Sequence, residues 1–296
     1  MQGVTKNGLP PGSVSGQSRS ARFACTAKRS PMTEAGRVAL VTGVAVAVGA
    51  VAAYVILRPS SRSFFRSLYE SAVQLGIQGD GREQRVLDHI LATTPPNNPA
   101  AVVAAIDEFA YNKSWMMNVG DVKGAIVDKA ILDCNPKVLL ELGTYCGYSA
   151  TRFASLLKTA GAKLYTVDKS EYNAQIARRV LSHAGLLDTK VDSIVGILGT
   201  SIQALRERGV TTFDFVFLDH WKEAYLPDLK LLIEEGFLHK GTVVVADNVL
   251  WPGAPDYRKF MQDSKVFDTV EHETTVEYSD TADLVLVSTY KGKGEA

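Results

Sequence analysis

Residues 213–228 read FDFVFLDHWKEAYLPD, an apolar run that ends on Asp219, His220, Trp221 and Lys222. The stretch GTVVVADN at 241–248 repeats the arrangement with Asp247 and Asn248. A segment that buries itself and then stops on an acid, an imidazole, an indole and an amine reads as a strand delivering reactive groups at its end. If the two runs are sheet neighbours they lie about 4.8 Å apart, and Asp219, Asp247 and Asn248 then converge three oxygen ligands on one point. Oxygen-only ligation selects a hard cation, and Mg²⁺ with water or substrate oxygens completing its octahedron suits the set. Without a cation, two carboxylates pressed together push one pKa upward, and each acid taken singly also reads as the cap of a following loop.

Two more apolar runs end on polar groups. In ELGTYCGYS, at 141–149, Glu141 and Gly143 close a run, Gly147 follows, and Ser149 opens a helix. Glycines there let the backbone approach a ligand, and a helix N-terminus offers unpaired N–H groups. The spacing of Gly143 and Gly147 is not the G-x-G-x-x-G dinucleotide fingerprint. Asp168 ends KLYTVD, the place where nucleoside-binding folds set an acid against ribose hydroxyls. Gly143, Gly147 and Asp168 together favour an adenosine-containing ligand without a deeply cradled phosphate.

The elements that must position these groups follow from periodicity. GREQRVLDHILATT and PAAVVAAIDEFAYNK read as helices, the first with Val86, Leu87, Ile90 and Leu91 on one face. Short apolar runs come next, VLLEL, KLYTV, SIVGI (193–197), FDFVFL and GTVVVA, separated by helix-like stretches such as ATRFASLLKTA and EYNAQIARRVLSHAG. Strands without internal polar alternation, alternating with helices, predict a mostly parallel, doubly wound α/β sheet covered on both faces. VFDTVEHETTVEY and DLVLVSTYKG lie close together with no helix between them, which predicts an antiparallel edge at the C-terminal end. In open sheets of this kind ligands sit beyond the carboxyl ends of the strands, where the acids stand.

The chain has 296 residues. Residues 1–37 are Ser-, Gly-, Ala- and Arg-rich with one acid, Glu34, and read as disordered or targeting sequence. Residues 38–57, VALVTGVAVAVGAVAAYVIL, carry no charge over about 20 residues, the length of a transmembrane helix. Flanking arginines weakly favour a cytosolic N-terminus, and an organelle import signal is the alternative reading. A linker at 58–79 leads to a catalytic domain at 80–296, so the expected localisation is a membrane, single-pass with an N-terminal anchor. Formal net charge is zero and the domain carries no long basic stripe, which gives no indication of a nucleic-acid partner. Cys25, Cys134 and Cys146 show neither a disulfide framework nor zinc-ligand spacing.

WMMNVGD at 115–121, ELGTYCGYS at 141–149, LDHWK at 218–222 and ADNVLWPGAP at 246–255 resemble the catechol O-methyltransferase family, and the resemblance covers residues 81–292. The anchor also resembles that of the family's membrane-bound form. The resemblance implies a class I, Rossmann-like methyltransferase fold, S-adenosylmethionine as methyl donor, Mg²⁺, and a small-molecule catechol acceptor. Carried over position by position, it implies Asp219, Asp247 and Asn248 as metal ligands and Lys222 as general base. Glu277 and Asn248 would hold the acceptor, and Trp115, Trp221 and Pro252 would wall its ring. On the cofactor side it implies Met117, Val119, Glu141, Gly143, Tyr145, Ser149, Asp168, Leu198 and His220. Asp168 stands where the family more often has Glu, and Ile197, Leu198 and Gly199 replace a segment with Ser and Gln beside the adenine. Two other classes stay open: a nucleotide-dependent oxidoreductase, disfavoured by the missing glycine fingerprint, and an anchored scaffolding protein that kept the fold.

Overall fold

The computed structural model describes residues 80–292; the leader, the apolar span and the linker expected at 1–79 lie outside them. Three helices come first, α1 (Arg82–Thr93), α2 (Pro99–Asn112) and α3 (Gly120–Cys134). Strands and helices then alternate: β1 (Val138–Leu142), α4 (Tyr148–Leu156), β2 (Lys163–Asp168), α5 (Glu171–His183), β3 (Val191–Val195), α6 (Leu198–Glu207), β4 (Phe213–Leu218), α7 (Tyr225–Glu234), β5 (Leu238–Ala246) and α8 (Pro255–Asp263). The chain closes with β6 (Phe267–Thr275) and β7 (Ala282–Tyr290).

The sheet order is β3-β2-β1-β4-β5-β7-β6. The first five strands pair in parallel; β7 runs antiparallel to both β5 and β6. Leu139, Phe215, Phe217 and Val245 pack into one core with α1 to α5, and Leu140, Val216, Leu218 and Val244 into the other with α6 to α8. Side chains alternate faces along a strand, so burial on both sides requires the unbroken apolar runs that the sequence carries.

Several boundaries differ from expectation, β5 beginning at Leu238 rather than Gly241 and β6 ending at Thr275 before Val276, Glu277 and Tyr278. The third strand covers Val191–Val195, ending before Gly196 and Ile197 of the SIVGI run. Gly196 bends away at φ 152° and donates to Asp168 O at 2.8 Å, and Ile197 becomes the N-cap of α6, 58% exposed. The stretch 150–160 stops being helical at Leu156, where Leu157 turns extended. Among the described residues no helix is long and apolar enough to cross a membrane.

Candidate active site at the strand ends

β1 and β2, β1 and β4, and β4 and β5 are sheet neighbours, and each ladder runs one residue beyond its strand. Gly143 N donates to Val167 O (2.9 Å), Asp219 N to Leu142 O (2.9 Å) and Asp247 N to Leu218 O (3.0 Å). The glycine turn and both acids are thus held by the rigid centre of the sheet. Gly143 has φ 101°, and a Cβ there would lie 2.2 Å from Asp219 O, so only glycine lets the two strand ends approach this closely.

Asn248 turns left-handed at φ 55° and donates its backbone N–H to Asp247 Oδ1 at 2.7 Å. Its Oδ1 accepts from Lys222 Nζ (3.2 Å), which also donates to Asp219 Oδ1 (3.1 Å) and to the buried Tyr225 hydroxyl (2.6 Å). Tyr225 passes a hydrogen bond on to Asp247 O at 3.1 Å. Lys222 therefore sits between two of the three oxygen donors expected to converge.

The third donor is held by a different lysine. Lys123, on the first turn of α3, is fully buried, and its Nζ lies 2.9 Å from Asp247 Oδ2, 3.0 Å from Glu277 Oε2 and 3.2 Å from Asp283 Oδ2. The contact to Asp247 is an ion pair without hydrogen-bond geometry; the other two are hydrogen bonds. Burial pulls the Lys123 amine down, and the carboxylates of Asp247, Glu277 and Asp283 more than reverse it, raising it well above the ordinary lysine range. Burial pushes the Asp247 carboxyl up while the Lys123 charge opposes the shift.

Glu277 occupies the turn between β6 and β7, and its carbonyl accepts from Trp115 Nε1 at 3.3 Å. Tyr278 anchors that turn by donating to Asp107 Oδ1 on α2 (2.9 Å). Gly120 at φ 73° opens α3 against it, since a Cβ there would lie 3.0 Å from the Glu277 Cβ. Trp115 is half-buried, Trp221 is 55% exposed with Lys169 Nζ 4.5 Å from its ring centroid, and Pro252 is exposed in the turn after Asn248.

Around the glycine turn, Glu141 is fully buried, its Oε2 accepts from the Thr166 hydroxyl, and its Oε1 finds no hydrogen-bond partner. Burial pushes this carboxyl up to about 7. Tyr145, left-handed at φ 46°, donates its hydroxyl to Glu83 Oε1 at 2.8 Å, and Ser149 is buried in the first turn of α4. Asp168 is engaged by backbone: Oδ2 accepts from Thr144 N (3.1 Å) and Tyr145 N (2.8 Å), and Oδ1 from Ser170 N (2.8 Å). His220 stacks on Tyr225 and donates from Nε2 to Asp228 Oδ2 (2.9 Å), leaving a buried Nδ1 without a partner. Met117 packs on the first core, Val119 is buried in it, and the Leu198 side chain is buried in the second core, which leaves only the Leu198 backbone to face a ligand.

Among the described residues no group of three or more His, Cys, Asp or Glu side chains forms a metal cluster. Asp219, Asp247 and Asn248 comprise two carboxylates and an amide, and positive charge already gathers on them. Four carboxylates face two amines here, a formal charge of −2, which one divalent cation would balance. The donor set fits a hard cation. The orphaned Glu141 Oε1 and His220 Nδ1 likewise fit a polar ligand along the glycine turn.

A family model described as O-methyltransferase matches residues 97–275. The chain belongs to the O-methyltransferase family. A probable O-methyltransferase of Mycobacterium tuberculosis is 47% identical over 222 residues, 72% of this chain and 94% of the relative. The catechol O-methyltransferase of Bos taurus is 44% identical over 217 residues, 73% of this chain and 79% of the relative. A transmembrane O-methyltransferase of Homo sapiens is 30% identical over 256 residues, 84% and 88% of the two chains. In fold, the Bacillus cereus O-methyltransferase solved in complex with SAH aligns with a TM-score of 0.53 at 20% identity, over 76% of this chain and 97% of that one.

Three residues of this candidate site were not foreseen from the sequence: Lys123, Asp283 and Tyr225. Lys123 had a signal. Gly120, Lys123, Gly124, Val127 and Ile131 are all buried at helical spacing, and a lysine inside such a stripe needs carboxylate partners.

Proposed function

We propose that this O-methyltransferase moves the methyl group of S-adenosylmethionine to one hydroxyl of a catechol-type acceptor, with Asp219, Asp247 and Asn248 holding Mg²⁺. The observation that carries the reading is Lys222 Nζ, 3.1 Å from Asp219 Oδ1 and 3.2 Å from Asn248 Oδ1, which puts an amine beside the oxygen set whose cation would draw in two vicinal hydroxyls. Met117, Val119, Glu141, Gly143, Tyr145, Ser149, Asp168, His220 and the Leu198 backbone hold the cofactor, which supplies an electrophilic methyl group and a sulfide leaving group. Asp219, Asp247 and Asn248 would hold the cation, which would supply the positive charge that makes a neighbouring hydroxyl more acidic. Lys222 takes the proton of the reacting hydroxyl, with Tyr225 fixing the amine. Glu277, held by Lys123, accepts a hydrogen bond from the second hydroxyl and orients the ring. Trp115, Trp221 and Pro252 supply apolar contact, and orientation does much of the remaining work.

Turnover decides it. Purified protein given S-adenosylmethionine, Mg²⁺ and a simple catechol yields the mono-methyl ether, and excess chelator stops the reaction until Mg²⁺ is restored. Full turnover in chelator removes the metal from the reading. Tight S-adenosylmethionine binding without catechol methylation keeps the methyl donor and moves the acceptor to another class.

The uncharged run at 38–57 supports an N-terminal membrane anchor: about 20 residues at 1.5 Å each span about 30 Å of hydrocarbon. Full-length protein then sediments with membranes and resists alkaline carbonate. Release by carbonate, or a mature chain that begins beyond residue 57, makes the segment a targeting signal instead.

A further inference from the structure

Asp283, on β7, is 1% exposed and belongs to none of the roles above. Its Oδ2 accepts from Asn248 Nδ2 at 3.0 Å and from Lys123 Nζ at 3.2 Å. Its Oδ1 accepts from the backbone N–H groups of Trp251 (3.0 Å) and Leu250 (3.3 Å). One carboxylate thus ties the Asn248 side chain, the turn that carries Pro252, and the Lys123 hub. An amide has a donor end and an acceptor end of nearly the same shape, and its neighbours decide which way it points. Asp283 is an acceptor, so it captures the NH₂ end of Asn248 and turns Oδ1 toward Lys222 and Asp219. In the flipped rotamer an NH₂ group would face the cation position, where it is no ligand.

We infer that Asp283 is the positioning residue that makes Asn248 an oxygen ligand, by holding its amide nitrogen. The inference rests on the proposed cation site, and outer groups of this kind commonly alter metal affinity 10- to 100-fold when removed.

The test titrates Mn²⁺, as a paramagnetic stand-in for Mg²⁺, by the fraction of free-ion signal in electron paramagnetic resonance, with S-adenosylmethionine affinity as the control for an intact fold. Asp283→Asn is expected to raise the Mn²⁺ dissociation constant at least about tenfold while cofactor affinity holds. The decisive variant is the swap Asn248→Asp with Asp283→Asn. The new amide at 283 donates to one carboxylate oxygen at 248 and the other faces the cation, so orientation no longer matters and Mn²⁺ affinity returns to within about threefold of wild type. A carboxylate that merely neutralised Lys123 would not be rescued by moving it to 248. Unchanged Mn²⁺ binding in Asp283→Asn overturns the inference, as does failure of the swapped pair to bind, folded or not. Absence of Mn²⁺ binding in the wild type overturns the cation site itself, a separate result.

Discussion

Lys222→Ala is expected to lower the rate of methyl transfer by about 10² to 10⁴, the usual contribution of a positioned proton acceptor. The side chain is held by three partners, Asp219, Asn248 and Tyr225, so its nitrogen occupies one place rather than sampling many. Fixing it there puts the amine beside the oxygens proposed to hold the cation, and no other amine approaches Asp219 Oδ1 and Asn248 Oδ1 among the described contacts. Lys123 does not substitute, because the carboxylates of Asp247, Glu277 and Asp283 raise its amine well above the ordinary lysine range and keep it protonated. The loss should fall on the chemical step: single-turnover rates drop while S-adenosylmethionine affinity, proposed to be set around the glycine turn, changes little. Near-normal single-turnover rates in Lys222→Ala at neutral pH would show that the metal alone activates the hydroxyl, and would return Lys222 to a structural part.

The strand ends were legible because they are local. FDFVFL followed by Asp219, and GTVVVA followed by Asp247, show burial stopping at a charge, and parallel pairing of β4 with β5 does the rest. Glu277 needed family resemblance, since a carboxylate in a turn between two edge strands carries no periodic signature. Asp283 stands before LVLV and reads as an ordinary strand start; its partners Asn248, Leu250, Trp251 and Lys123 arrive from the turn after β5 and from α3 through tertiary packing alone. The misplaced third strand has the same origin. Ser193 and Ile194 belong to β3, Gly196 makes the last ladder bond, to Asp168 O, and its φ of 152° then turns the chain into α6. Asp168, expected as the ribose acceptor, is also gathered by three backbone N–H groups, a part of its setting that the sequence does not show. Its shorter stem keeps the carboxylate close to the turn after β1.

Lys123→Met is expected to be the most destabilising single change in the site. Methionine keeps most of the stem and removes the charge, leaving Asp247, Glu277 and Asp283 facing one another at a place with 0% exposure for the lysine itself. Removing one partner of a buried ion pair costs about 3 to 5 kcal/mol, because the other is left uncompensated. Against a stability of about 5 to 15 kcal/mol that is a large fraction, and for a domain of this size it lowers Tm by roughly 10 °C. The penalty is electrostatic rather than a packing loss, which a second substitution separates. Glu277→Gln in the Lys123→Met background removes one of the stranded charges, so part of the lost Tm returns, with a coupling of about 0.5 to 3 kcal/mol between the two sites. Activity does not return with it, since the acceptor has lost its carboxylate. A Tm unchanged by Lys123→Met, or two substitutions whose effects simply add, would mean that the three carboxylates find other partners and that Lys123 is not what holds Glu277 beside the metal position.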